Sequence, residues 1–249
     1  MDESIISTLF EHMPRQGPGS TACTKKMFSL LPPLPGKPAI LDIGCGSGMQ
    51  TIDLARFAPA AQITAVDVHA PFLADVRQRA EVAGVKARVK TVQASMDTLP
   101  FPPASYDLLW AEGSIFIMGV ERGITAWKKF IRPSGYLAFT EAVWFTETPS
   151  AEVKEFWQEI YPDIKDVRGI QTVAEKAGYF WITSFPLPAS AWWDDYYTPF
   201  LARLPALENT YRDNAEARTI LAGMKQEISL FRGHSHEYGY QFILLKNGK

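Results

Sequence analysis

The chain has 249 residues, 47% of them hydrophobic, enough for a well-buried core in one large domain or one domain plus an appendage. Its 25 basic and 27 acidic residues leave a formal net charge of −2, so no global field draws it to nucleic acid or an acidic membrane. Cys23 and Cys45 lack metal-ligand spacing, and no apolar run approaches the roughly 18 residues of a membrane span, which together point to a reduced, cytoplasmic chain.

The N-terminus, Met1-Asp2-Glu3-Ser4, is acidic and carries no recognisable export signal. Helical spacing over 4–13 stops at Pro14-Arg15-Gln16-Gly17-Pro18-Gly19-Ser20, a loop whose last residue caps a helix over 21–31. From Ala39 the pattern repeats as strand, turn and helix: 39–43 then 50–58, 62–66 then 72–83, 87–92 then a loop. A fourth strand over 106–111, a helix over 122–131 and a fifth strand over 135–140 follow. This alternation predicts an α/β core, doubly wound, with a parallel sheet and helices on both faces. Helices over 151–161 and 167–177 come next, the second stopping at Gly178. Two strands, 179–185 and 238–245, are separated by a segment that is aromatic at Trp192-Trp193-Asp194-Asp195-Tyr196-Tyr197 and helical over 215–230. That segment, 191–232, reads as a helical insertion covering one rim of the sheet, over the active site. The whole of 1–249 reads as a single domain, with 1–38 an N-terminal helical cap and 39–140 the cofactor-binding core.

The most informative run is Leu41-Asp42-Ile43-Gly44-Cys45-Gly46-Ser47-Gly48, a strand that ends in glycines at every second position. Side chains are absent where the backbone must turn and where a ligand must come close. The helix that follows presents unpaired N–H groups, which suit a carboxylate or phosphate. Asp42 either anchors the loop or reaches a ligand amine. Asp67 ends the second strand about 20 residues past the turn, the offset of an acid that holds ribose hydroxyls.

On these residues the chain resembles the class I S-adenosylmethionine-dependent methyltransferases. A dinucleotide-binding turn would be Gly-x-Gly-x-x-Gly, but Met49 stands at its last glycine and the third glycine falls at 48. The segment Val92-Gln93-Ala94-Ser95-Met96-Asp97-Thr98-Leu99-Pro100-Phe101 resembles the small-molecule branch related to quinone-biosynthesis methyltransferases. The resemblance implies a Rossmann-like, seven-stranded, mostly parallel sheet closed by an antiparallel C-terminal pair, with S-adenosyl-L-methionine as cofactor and a small-molecule methyl acceptor. It implies that Gly44 and Gly46 pack under the methionine part, that Cys45 and Gln50 belong to the same cofactor set, that Asp67 binds ribose and that Val68 lies against adenine. Ser95 and Met96 take the adenine edge. Many relatives carry Gly-Asp where this chain has Ala94-Ser95, leaving the Ser95 hydroxyl, the Met96 N–H or Asp97 to replace that carboxylate. Arg15 either folds over to the cofactor's carboxylate or is a solvated loop charge, and Asp42 belongs to the same cofactor set.

Glu112, directly after the fourth strand among small residues, sits where charge is expensive unless used, and is the candidate general base or substrate-orienting group. Glu141 has a similar address after strand five, with an ion pair as the alternative. His234 and His236 lack a third metal ligand and read as a surface turn, so no metal is expected. The Trp192, Trp193, Tyr196, Tyr197 group is either core packing or an aromatic pocket wall. No Asn/Asp-Pro-Pro-Tyr/Phe run follows strand four, which argues against a nucleic-acid base as acceptor. Two other readings of the same turn are an NAD(P)-dependent oxidoreductase, opposed by Met49, and a non-catalytic S-adenosylmethionine-binding protein. The oligomeric state is not encoded in any pattern visible here.

Overall fold

A computed structural model describes residues 3–248, so Met1 and Asp2 of the acidic N-terminus lie outside the described residues. Helices α1 (Glu3–Phe10) and α2 (Thr21–Ser29) precede the sheet. The alternating unit then follows as β1 (Ala39–Ile43), α3 (Met49–Phe57), β2 (Gln62–Asp67), α4 (Ala70–Val82), β3 (Val89–Gln93), β4 (Tyr106–Ala111), α5 (Val120–Trp127) and β5 (Ile131–Trp144). Beyond it come α6 (Ala151–Ile160), the two-residue β6 (Lys165–Asp166), α7 (Val167–Lys176) and β7 (Tyr179–Pro186). The insertion folds as α8 (Ser190–Trp192), a π-helical stretch (Trp193–Tyr197), α9 (Thr198–Thr210) and α10 (Ala215–His234), and β8 (Tyr238–Asn247) closes the chain.

The strands lie in the order β3-β2-β1-β4-β5-β8-β7, with β6 beside β5. β1 to β5 are parallel, while β8 runs antiparallel between β5 and β7. The seven-stranded expectation therefore holds along the main path, and β6 adds a short parallel strand at Val143 and Trp144. Period-two alternation sorts the core. Ile40, Leu108, Trp110, Ala138 and Phe242 pack on one face with the N-terminal and insertion helices, while Leu41, Leu109, Leu137, Phe139 and Ile243 pack on the other with α5 and α7. Among the described residues no helix is long and apolar enough to cross a membrane.

Three local expectations need correction. β5 begins at Ile131 rather than 135, because Tyr106 pairs with Ile131 and Leu108 already with Tyr136. The surplus residues bulge out, Ser134 takes φ +62°, and a Cβ on Gly135 would lie 2.8 Å from the Asp107 carbonyl oxygen. Pro133-Ser134-Gly135 thus looks like a turn while lying inside a strand. The helix expected over 122–131 is α5 plus a single 3-10 turn over Lys128–Phe130. Helix α9 was hidden by its prolines: Pro199 occupies the first turn, where no N–H is needed, and Pro205 lies inside the helix.

Helix ends follow their side chains. The Ser20 hydroxyl accepts from Cys23 N at 3.2 Å, as the sequence implied, and Asp166 and Asn214 do the same for α7 and α10. α3 starts differently, from Gly48 at φ +84°, where a Cβ would meet Val76 Cγ2 at 2.7 Å.

Candidate active site

The carboxyl ends of β1 to β5 and the opening of antiparallel β8 all face one cavity of about 750 Å³. Gly44, Cys45, Gly46 and Ser47 follow β1, Asp67, Val68 and His69 close β2, and Ala94 to Asp97 follow β3. Gly44 has φ +67° and a Cβ there would fall 2.4 Å from the Ser114 Cβ. Gly46, at φ +51°, is as tightly covered by Gln16. Torsion demands glycine at both positions, and at Gly44 the fixed Ser114 Cβ demands it on space as well.

Asp67 is held by two backbone donors, Gly46 N at 2.9 Å and His69 N at 3.0 Å, one to each oxygen. Burial pushes its carboxyl up from the ordinary range while these N–H groups pull it down. Each oxygen keeps a further lone pair for hydroxyl groups in the cavity. Cys45 N donates to the Val66 carbonyl at 2.9 Å, and burial pushes the Cys45 thiol well up, so it stays protonated. Gln50 lines the cavity and donates to the Cys45 carbonyl at 3.0 Å.

Asp42 is placed elsewhere than at the cavity wall. It is fully buried beneath the turn, accepting from Thr51 Oγ1 at 2.5 Å and from Gln50 Nε2 at 3.5 Å. Of its two sequence readings, loop anchor is therefore the one the geometry matches, with burial raising its carboxyl to about 7. The remaining sequence candidates, Arg15, Ser95, Met96 and Glu112 among them, line the cavity together.

Glu112 stands at the centre of a buried polar knot. Its Oε2 accepts from Arg15 Nη1 at 2.8 Å, and its Oε1 from Thr24 Oγ1 at 2.7 Å and Trp110 Nε1 at 2.8 Å. Trp110 reaches it because residues two apart on a strand share a face. Arg15 also lies 3.8 Å from Asp53 through Nη2, and its Nε is buried with no acceptor. A carboxylate engaged by three donors is built to hold position; the unpaired Nε is the group left to meet a ligand.

No sequence pattern singled out Gln16, or Phe116, Trp157, Tyr161, Glu227 and Tyr240 of the opposite wall. Gln16 Oε1 accepts from Ser47 N at 2.8 Å, and Ser47 Oγ donates to the Pro14 carbonyl at 3.0 Å, so the N-terminal segment covers the turn. Across the cavity stand Phe116, Trp157 and Tyr161 with Trp192, Tyr196, Glu227 and Tyr240. At about 4.8 Å per strand, the four steps from β2 to β8 separate Asp67 from Tyr240 by roughly 19 Å. Glu141 stays out of this wall. It is 1% exposed, its Oε2 has no partner, and burial lifts it to about 8. No cation pairs with it among the described residues. His234 instead contacts Glu237, Nδ1 to Oε1 at 2.6 Å, and no cluster able to hold a metal occurs among the described residues.

Residues 40–135 match a family model described as a methyltransferase domain. Over that stretch the chain is similar to the class I S-adenosylmethionine-dependent methyltransferases. The glycine turn without room for a Cβ, Asp67 and the orphaned Arg15 Nε fit the sugar and the amino-acid carboxylate of that cofactor. Beyond the matched residues the same sheet continues through β8. A crystal structure of an S-adenosylmethionine-dependent methyltransferase from Geobacter sulfurreducens, in complex with S-adenosyl-L-homocysteine, has the same fold, with a TM-score of 0.78 at 19% identity over 97% of each chain. In sequence the chain is 32% identical over 126 residues to an uncharacterized protein of Synechococcus, half of this chain but only 30% of that one. It is 25% identical over 228 residues to 27-O-demethylrifamycin SV methyltransferase of Amycolatopsis mediterranei, which spans 91% of this chain and 82% of that protein.

Proposed function

We propose that the chain transfers the methyl group of S-adenosyl-L-methionine to a small-molecule acceptor. The observation that carries this reading is the continuity of the cavity, which joins the glycine turn and Asp67 to an aromatic compartment on the far side of Glu112. In its volume, about 750 Å³, it lies within the range of pockets that enclose small ligands. The Amycolatopsis relative is named for 27-O-demethylrifamycin SV, and residues 92–101 resemble the quinone-biosynthesis branch; both support a small acceptor.

When bound, the cofactor supplies a methyl group on a positively charged sulfur. Asp67 holds the ribose hydroxyls, Gly44 and Gly46 give way to the methionine part, and Arg15 Nε takes its carboxylate. Val68, Ser95, Met96 and Asp97 border the adenine. Glu112 keeps Arg15 in this position and is thus assigned as an orienting residue. In-line displacement depends chiefly on alignment of the reacting atoms, worth on the order of 7–11 kcal/mol, so a saturated carboxylate at 112 does not count against catalysis. Buried free thiols at Cys23 and Cys45 suit a reducing, cytoplasmic setting. A single-domain organisation is supported by the bonds from Gly19 N to the Ala191 carbonyl and from Arg203 to the Leu9 carbonyl, which join cap to insertion.

Calorimetry with S-adenosyl-L-homocysteine and NADH tests the cofactor assignment: the first binds and the second does not. Transfer of labelled methyl from S-adenosyl-L-methionine into low-molecular-weight products tests the chemistry. Saturable binding of NADH alone overturns the reading.

A further inference from the structure

The half of the cavity farthest from Asp67 has a one-sided electrostatic character. Among the described residues the cavity's basic side chains are Arg15 and His69. Arg15 is tied to Glu112, and His69 belongs to the β2 end, two residues past Asp67 and packed edge-on against Phe72. Glu227 comes into the far half from α10 with no basic partner: no Lys, Arg or His forms an ion pair with it among the described residues.

Glu227 Oε1 accepts from the Tyr197 hydroxyl at 2.7 Å, the one bond fixing its carboxyl among the described residues. Around it the wall is aromatic. Trp192 and Tyr240 meet edge to face with centroids 4.9 Å apart, and Tyr196 stacks on Tyr197 at 5.0 Å. A carboxylate in such surroundings is costly unless something compensates it. Ring faces and edges that exclude water also strengthen any charge pair formed there. An anionic acceptor would meet Glu227 with no cation to offset the repulsion.

Toward the mouth the chemistry changes to apolar. Phe116, Ile117 and Ile160 line the same cavity and are 38%, 65% and 51% exposed. Exposed apolar residues grouped at an opening mark a surface for an apolar ligand.

Resting on the methyltransferase reading above, we propose that the acceptor is an amine with an apolar body, recruited as its ammonium form with the charged head at Glu227 and the body along Phe116, Ile117 and Ile160; the head passes one proton to the Glu227 carboxylate, and the freed nitrogen lone pair takes the methyl group as the carbon–sulfur bond breaks. The assignment separates this site from one for carboxylates, phosphates or acyl-carrier substrates, each of which needs a basic group in this half of the cavity. Trp192, Tyr196 and Tyr240 line the same cavity as Glu227 and supply the aromatic surroundings of the head.

The test uses two probes of matched shape and opposite charge, 2-phenylethylammonium and 3-phenylpropanoate, titrated by calorimetry into the protein saturated with S-adenosyl-L-homocysteine. Saturation with that compound is measured first, so failure of the cofactor reading is seen separately from failure of this one. The ammonium probe is expected to bind at least about ten-fold more tightly than the carboxylate, as a charge-assisted bond in a shielded site implies. Glu227→Gln keeps an acceptor for Tyr197 and is expected to erase that preference while leaving affinity for S-adenosyl-L-homocysteine unchanged. Equal binding of the two probes, tighter binding of the carboxylate, or no binding of the ammonium overturns the proposal. So does an ammonium affinity unchanged in a folded Glu227→Gln variant.

Discussion

Replacing Glu112 with glutamine distinguishes a clamp from a base. The carboxylate accepts from Arg15 on one oxygen and from Thr24 and Trp110 on the other, with both charged partners buried. A glutamine turns its carbonyl to one side or the other, so on the remaining side its NH₂ faces a donor. Breaking a buried ion pair by removing one partner costs about 3–5 kcal/mol. Asp53, 3.8 Å from Arg15 Nη2, offsets part of the lost charge and brings the expectation to about 2–4 kcal/mol. For a chain of this length that is a fall in Tm of roughly 4–16 °C. Urea unfolding followed by tryptophan fluorescence and circular dichroism measures it, with coincident curves required before a free energy is taken. Arg15→Met is expected to cost a similar amount, and the Arg15→Met/Glu112→Met pair at least about 1 kcal/mol less than the sum of its single variants. A loss below about 1 kcal/mol for Glu112→Gln refutes the clamp. A glutamine variant that matches the parent in stability and in affinity for S-adenosyl-L-homocysteine, yet has lost turnover, instead identifies a base.

Asp67→Asn is expected to weaken S-adenosyl-L-homocysteine about ten- to a hundred-fold by calorimetry, since the charge-assisted part of the ribose contact is lost; an unchanged affinity removes Asp67 from the site. Gly44→Ala combines a left-handed alanine with a Cβ 2.4 Å from that of Ser114, for an expected loss of about 2–4 kcal/mol, and adding Ser114→Gly returns part of it. No recovery in the double variant would mean that the contact with Ser114 is not what forbids the side chain. Burial pushes the Glu141 carboxyl from its ordinary 4.5 up to about 8, so the folded form binds more protons between those values and stability falls as pH rises through that window. Glu141→Gln removes this slope and gains on the order of 5 kcal/mol above pH 8, at about 1.4 kcal/mol per pH unit; parallel stability curves for parent and variant from pH 5 to 8 contradict it.

Local chemistry made the cofactor half of this molecule readable. Positive φ needs glycine, a helix start needs a cap, and a buried strand needs alternating apolar residues, so 39–111 could be divided into elements with ends close to those observed. Arg15 and Glu112 were legible one at a time, as a cation in a glycine-proline loop and an acid after a central strand. Their union was not, because 97 residues separate them and only folding brings α2, β4 and the loop together. Tyr161, Glu227 and Tyr240 were harder still. They arrive from the end of α6, from α10 and from β8 with no spacing rule linking them, and each in isolation resembles an ordinary helix-end, helix or strand residue. Helix α9 was missed for the opposite reason, since its two prolines are strong local signals that the packing around Phe200, Leu204 and Leu207 overrides.

Gln16 gives the glycine turn a tenant supplied by the chain itself. Its side-chain oxygen already takes the Ser47 N–H, and its amide group reaches back to the Phe10 and Met13 carbonyls at 3.4 Å. Any incoming carboxylate that claims that N–H must first evict this amide, so arrival is a swap of acceptors rather than the filling of a bare hole. The eviction also unties residues 10–16 from the turn, which links the pace of loading and unloading to how readily that segment lets go.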